Sequence, residues 1–126
     1  MSTPARTARE VVELYNLELW NNRRFELADE LIADTMIRHE VGEAHTLTRE
    51  QALKRATDTW AEFDHIRFDL DIVIADDDGE HVTIVYDSVL SKGENEVRVA
   101  SMEVFRVVEG AIVEVWNCGY KLGVWQ

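Results

Sequence analysis

The 126-residue sequence has one cysteine and one proline. With Cys118 alone, neither a disulfide framework nor a cysteine-based metal site is available. No apolar run approaches the length needed to span a membrane. The N-terminal stretch MSTPARTARE lacks the apolar core of a signal peptide. Basic clusters are also missing: Lys and Arg never exceed two in a row, and the net charge is −12. Nucleic acid and anionic membranes would be repelled, which excludes both as partners. These absences point to a cytoplasmic protein. Repeats and low-complexity linkers are absent too.

Apolar residues make up 46% of the chain and charged residues 30%, the balance of an ordinary globular protein. The length suits one domain, residues 1–126. Thr3-Pro4 reads as a helix start, a capping hydroxyl followed by proline at the first helical position. Ala8, Val11, Val12, Tyr15 and Leu19 then recur at helical spacing, and Asn21-Asn22 closes that helix. Phe25, Ala28, Leu31 and Ile32 form the stripe of a second, shorter helix. A short extended piece follows from Met36 to Val41, ended by Gly42. Thr48 with Gln51 three residues on is a capping-box pattern; Leu53, Ala56, Trp60 and Phe63 give the apolar face of the helix it opens.

After Asp64 the period changes to two, with Ile66, Phe68, Leu70, Ile72 and Ile74 alternating with polar residues. Asp76 to Gly79 is a turn, His81 to Ser91 a second strand, and Val97 to Tyr120 a closing hairpin. Three helices with one short strand among them, then four long antiparallel strands, predict an α+β fold with helices on one face of a curved sheet. Val82, Ile84, Tyr86 and Leu90, with Ala100, Met102 and Val104, are read as an apolar outer face that a second copy of the chain would cover.

One acid asks for a chemical explanation. Alternation puts Glu103 on a strand face with Val99, Ser101, Phe105 and Val107, while Arg98 and Arg106 fall on the other. A carboxylate among apolar neighbours is either paired or has a raised pKa.

The segments LADELIADTMIRHE and MEVFRVVEGAIVEVW carry a family likeness. The chain resembles the NTF2-like superfamily of cone-shaped α+β folds, which includes ketosteroid isomerases, limonene epoxide hydrolases and SnoaL-type polyketide cyclases. The likeness covers nearly the whole chain. Ketosteroid isomerases build an oxyanion hole from a tyrosine on the first helix and an acid on the last-but-one strand, with a carboxylate base on the short strand. Residue by residue, the resemblance implies that Tyr15 stands at the tyrosine, Glu103 at the acid and His39 at the base. Asp87 resembles one aspartate of the epoxide hydrolase set. That set's arginine and second aspartate look like Val85 and Asn117 here, which disfavours epoxide hydrolysis.

The implied catalytic residues are therefore His39, Glu103 and Tyr15, with Asn117, Asp87, Phe105, Val115 and Trp60 as ligand contacts. Each has a plainer reading: Tyr15 and Trp60 as core, His39 as a strand-end residue, Asp87 as a sheet-edge residue in water. The register of the last strand decides whether Asn117 or Trp116 faces Glu103. A two-residue turn at Glu109-Gly110 brings Trp116 there; a bulged three-residue connection, with the resemblance favouring Asn117, brings Asn117 and sends Trp116 to the outer layer. The segment HEVGEAH fails the HExxH spacing, since Glu43 stands at the second histidine; a metal held by His39, Glu43 and His45 is a minor alternative, and none is expected.

The resemblance implies a cofactor-free, homodimeric isomerase, cyclase or dehydratase that removes a proton next to a carbonyl of a hydrophobic small molecule. The alternatives are a non-catalytic binding protein with the same pocket and a dimeric interaction module.

Overall fold

A computed structural model describes residues 6–126, so the expected start at Thr3-Pro4 lies outside the described residues. Helix α1 (Ala8–Leu14) opens on a Thr7 capping box: the Thr7 hydroxyl accepts from the Glu10 N–H, and the Glu10 carboxylate accepts from the Thr7 N–H, both at 3.1 Å. The chain then widens into a π-helical segment, Tyr15–Trp20, with Asn21 N–H donating five residues back to Asn16 O at 3.2 Å. Arg23 leaves it in a left-handed conformation (φ 54°). A 3-10 turn (Phe25–Leu27) leads into α2 (Ala28–Leu31).

Strand β1 (Ile32–Glu40) turns at Gly42 (φ 94°) into β2 (Glu43–Thr48). Strand β2 is absent from the sequence reading because EAHTLT is almost wholly exposed and shows no apolar alternation. It is an edge strand paired only to β1. Helix α3 (Arg49–Glu62) begins at the expected Thr48–Gln51 capping box. Strands β3 (His65–Ala75), β4 (His81–Lys92), β5 (Asn95–Val108) and β6 (Ala111–Asn117) follow, and β7 (Lys121–Leu122) adds two residues to β5.

The sheet order is β2-β1-β6-β5-β4-β3. Every pairing is antiparallel except β1 with β6, so the sheet is mixed rather than the purely antiparallel one expected. The parallel pair requires a long crossover, here everything from β2 to β5. Among the described residues, no helix is long and apolar enough to cross a membrane.

The helices pack on one sheet face. Val11, Val12 and Leu19 meet Leu31, Ala52 and Ala56 from the other helices and Val82, Ile84, Tyr86, Phe105, Ile112 and Val115 from the strands. Val82, Ile84 and Tyr86 thus belong to the core face, not to the outer face where alternation seemed to put them. Val82 is opposed by Phe105 and Ile84 by Glu103, and directly opposed residues share a face. The outer face of β4 carries Thr83, Val85, Asp87 and Val89.

Two one-residue irregularities set which side chains face the core. In β3 the register shifts between Leu70 and Ile72, so Asp71 is a bulge. Phe68 and Leu70 point inward, but Ile72 and Ile74, expected on the same face, turn outward and are 49% and 58% exposed. In β6, Val107 pairs with Ile112 but Arg106 pairs with Glu114, making Val113 the extra residue. The turn itself is two residues long, Val108 opposing Ala111, with positive φ at Glu109 (52°) and Gly110 (79°), as a type I′ turn needs. The expected three-residue connection is therefore not found: the turn is tight, and a bulge beyond it, within β6, brings Asn117 opposite Glu103.

Candidate functional site

Between the helices and the sheet lies a cavity of about 520 Å³, the size of a small-molecule site. Tyr15 and Trp20 reach it from the π-helical segment, where an i→i+5 repeat brings residues five apart to one side. Helix α3 contributes Arg55, Thr59 and Phe63; β1 contributes Arg38; Phe68, Ser88, Leu90, Val97 and Val99 come from the sheet; and Tyr120 comes from the chain after β6. Aromatic edges brace the walls. Trp20 meets Phe68 at 5.3 Å and Tyr15 meets Phe105 at 5.8 Å between ring centroids, both edge-on.

Glu103 is the one acid lining this cavity among the described residues. Its side chain is 11% exposed. Burial pushes its carboxyl above the usual range, and the Arg38 guanidinium 3.8 Å away is the main opposing influence. The Tyr86 hydroxyl and Asn117 amide oppose it more weakly. Neither closes a well-formed hydrogen bond, and the Tyr86 hydroxyl and Asn117 Nδ2 are both buried without a partner. Burial likewise raises the phenols of Tyr15 and Tyr86.

Arg38 organises one wall. It is 5% exposed and donates to the Glu40 carboxylate at 3.2 Å and the Tyr120 hydroxyl at 3.3 Å. Its partners satisfy a cation that would otherwise be costly to bury.

The expected residues are only partly brought together. Tyr15 and Glu103 line the cavity. His39 does not: it lies on the opposite face of the sheet, bonded through Nε2 to Glu114 at 2.8 Å and stacked on Trp116 at 4.8 Å. The physical reason is strand parity. Ile32, Met36 and Arg38 are the buried residues of β1, so Ile37 and His39 point outward, and a one-residue offset exchanges the faces. Trp116 lies on the outer face, as the bulged register requires.

Asn117 is buried opposite Glu103, accepting from Gly119 N–H at 2.6 Å, but does not line the cavity. Asp87 is on the outer face, accepting from Trp125 N–H at 3.1 Å. Phe105 and Val115 are core residues, 1% and 2% exposed, packed beneath the cavity rather than lining it. Trp60 is a support: its indole N–H donates to Trp20 O at 2.8 Å, and the Arg23 guanidinium covers its ring. Arg38, Arg55 and Tyr120 went unrecognised in the sequence, and Phe63 read as part of an apolar helix face.

On the outer face, the Asp71 carboxyl is pushed up to about 6, first by sharing a hydrogen bond with Asp87, then by burial and by repulsion from Asp87 and Asp69. A carboxyl raised on folding stabilises the fold below its unfolded pKa and loses that contribution as pH rises through the folded value. Asp71→Asn should therefore raise the melting temperature at pH 7, with the gain shrinking towards pH 4. Thermal melts at the two pH values would check this; an equal gain at both would contradict it. At the β1–β2 turn Glu40, Glu43 and His45 come close together but are all exposed. His39, bonded to Glu114, is not part of that group.

A family model described as SnoaL-like polyketide cyclase matches residues 10–126. No curated protein matches the sequence. Among solved structures, a candidate polyketide cyclase from Acidithiobacillus ferrooxidans aligns with a TM-score of 0.76 at 18% identity, covering 92% of this chain and 89% of that one. A SnoaL-like polyketide cyclase from Agrobacterium tumefaciens aligns at 0.75 and 13% identity, covering 92% of each. An LEH-like epoxide hydrolase from M. tuberculosis aligns at 0.71 and 16% identity, covering 91% of this chain and 84% of that one. At these identities the likeness shows a shared fold.

Proposed function

Since the chain belongs to the SnoaL-like polyketide cyclase family, we propose that it is an isomerase- or cyclase-type enzyme acting on a hydrophobic carbonyl compound held in the 520 Å³ cavity. The observation that carries this reading is Glu103, a carboxyl on an aromatic-lined cavity wall with its pKa raised by burial. A base tuned upward is matched to removing a weakly acidic C–H and returning the proton elsewhere. With His39 outside the cavity, Glu103 takes the role of base rather than that of hydrogen-bond donor.

In this mechanism the Glu103 carboxylate takes the proton next to the carbonyl, and the C–H electron pair moves into the carbonyl to form an enolate. Tyr15 and Tyr120 donate to the enolate oxygen, where placed donors contribute most. Arg38 donates to the Tyr120 oxygen, so the phenolic proton of Tyr120 stays available to the ligand. The enolate carbon then attacks a second carbonyl, closing a ring whose new alkoxide takes the proton back from Glu103, or a conjugated enolate takes that proton at its remote carbon, shifting the double bond. The test is turnover of a panel of cyclic enones and polyketide-like ketones by wild type and Glu103→Gln. Equal rates would overturn the reading.

The outer face supports a homodimer. Met102, Ile72 and Ile74 are exposed there, at 39%, 49% and 58%, beside Val104 and the Trp116–His39 stack. Sedimentation at micromolar concentration should give twice the chain mass, and Met102→Lys should reduce it to one. A wild-type monomer would contradict the dimer.

A further inference from the structure

Two guanidiniums line the cavity, and they are not equivalent. Arg38 has Glu40 at 3.2 Å and Glu103 at 3.8 Å, so two acids answer one cation. Arg55 makes no ion pair among the described residues. Its neighbours one turn away on α3 are Gln51 and Thr59, neither an acid, and the nearby Asp58 is held by Lys54 at 2.7 Å. Yet its charge is felt by Tyr15, Glu40 and Glu103, which places it over the same space. A half-buried cation on the wall that Trp20 and Phe63 also line, with no ion pair among the described residues, is costly.

We infer that Arg55 binds an anionic group of the ligand, and that the carbonyl substrate proposed above bears a carboxylate. The planar fork of a guanidinium donates to two carboxylate oxygens at once, while Trp20, Phe63, Phe68 and Val97 receive the apolar body. The division of labour follows from the charges. Arg38, already matched, holds Glu103 and Tyr120 in place; Arg55, unmatched, reads the ligand. This inference rests on the proposed ligand cavity, but it concerns binding and does not require turnover.

The experiment is calorimetric titration of the purified protein with 2-naphthylacetate and with 2-naphthylacetamide, a neutral molecule of nearly the same shape. The acid should bind at least about tenfold tighter than the amide, within the range of a charge-assisted contact, and raised salt should weaken the acid alone. Arg55→Gln should abolish the preference and Arg55→Lys should retain part of it, both with melting temperatures near wild type. Equal binding of the two probes, no binding of the acid, or an undiminished preference in Arg55→Gln would overturn the inference. Glu103→Gln separates the two readings. If it turns over ketones as fast as wild type yet keeps the acid preference, the chemistry fails and the ligand class stands. If the acid preference is missing while Glu103→Gln is inactive, the ligand class fails alone.

Discussion

Glu103→Gln should lower turnover of a ketone substrate by about 100- to 10,000-fold, the usual contribution of a positioned acid–base group, without unfolding the protein. The replacement preserves shape and removes only the ability to exchange a proton. Arg38 keeps Glu40 and the Tyr120 hydroxyl as partners, so no cation is left stranded. The Glu103 carboxyl is raised on folding. Its favourable contribution is therefore present below its unfolded pKa and lost as pH rises through the folded value. At neutral pH the glutamine variant should be at least as stable as wild type, and below about pH 4, near the unfolded carboxyl, that relative gain should disappear. The wild-type pH profile of kcat/KM should rise through an elevated carboxyl pKa and lose this limb in the variant. Normal melting with lost turnover assigns Glu103 to chemistry; lost melting would make it structural.

Arg38→Met should do the opposite: at pH 7 it should reduce stability by about 3 kcal/mol, the lower part of the range for breaking a buried ion pair by removing one partner. Both side chains are nearly buried, 6% and 11% exposed, so solvent does little to soften the loss. The penalty comes from Glu103, left among Tyr86, Asn117 and apolar walls with its principal cation gone. Lowering the pH should relieve it, because protonation then removes the stranded charge. The double variant Arg38→Met/Glu103→Gln should recover much of the deficit, and denaturant unfolding of all four proteins would give the coupling directly. Additive losses would mean that the 3.8 Å contact carries no net interaction.

The elements that could be read from residues were those whose pattern is local. The Thr48–Gln51 capping box and the apolar stripe of α1 each follow from spacing alone, and the closing hairpin placed Glu103 on the inner face. Other features depend on partners distant in sequence. EAHTLT pairs through its backbone at an edge and buries almost nothing, so its composition leaves no trace of a strand. In MIRHE, Met36–Arg38 and Ile37–His39 are equally good alternating pairs, and only contact with the helices selects the first. A buried arginine such as Arg38 looks the same in sequence as a solvated one until Glu40, Glu103 and Tyr120 are seen around it. The π-helical widening that turns Tyr15 and Trp20 to one side is likewise a tertiary choice.

The bulges at Asp71 and Val113 make the sheet behave like a message read in a frame of two. Were Val113 to enter the ladder opposite Arg106, everything after it would shift by one place, presenting Trp116 to Glu103 and Asn117 to the outer face. The strand before the bulge would keep its partners and register no error. Cavity and outer face are thus written along the same strand in alternate positions, so a one-residue slip of register would rewrite both at once.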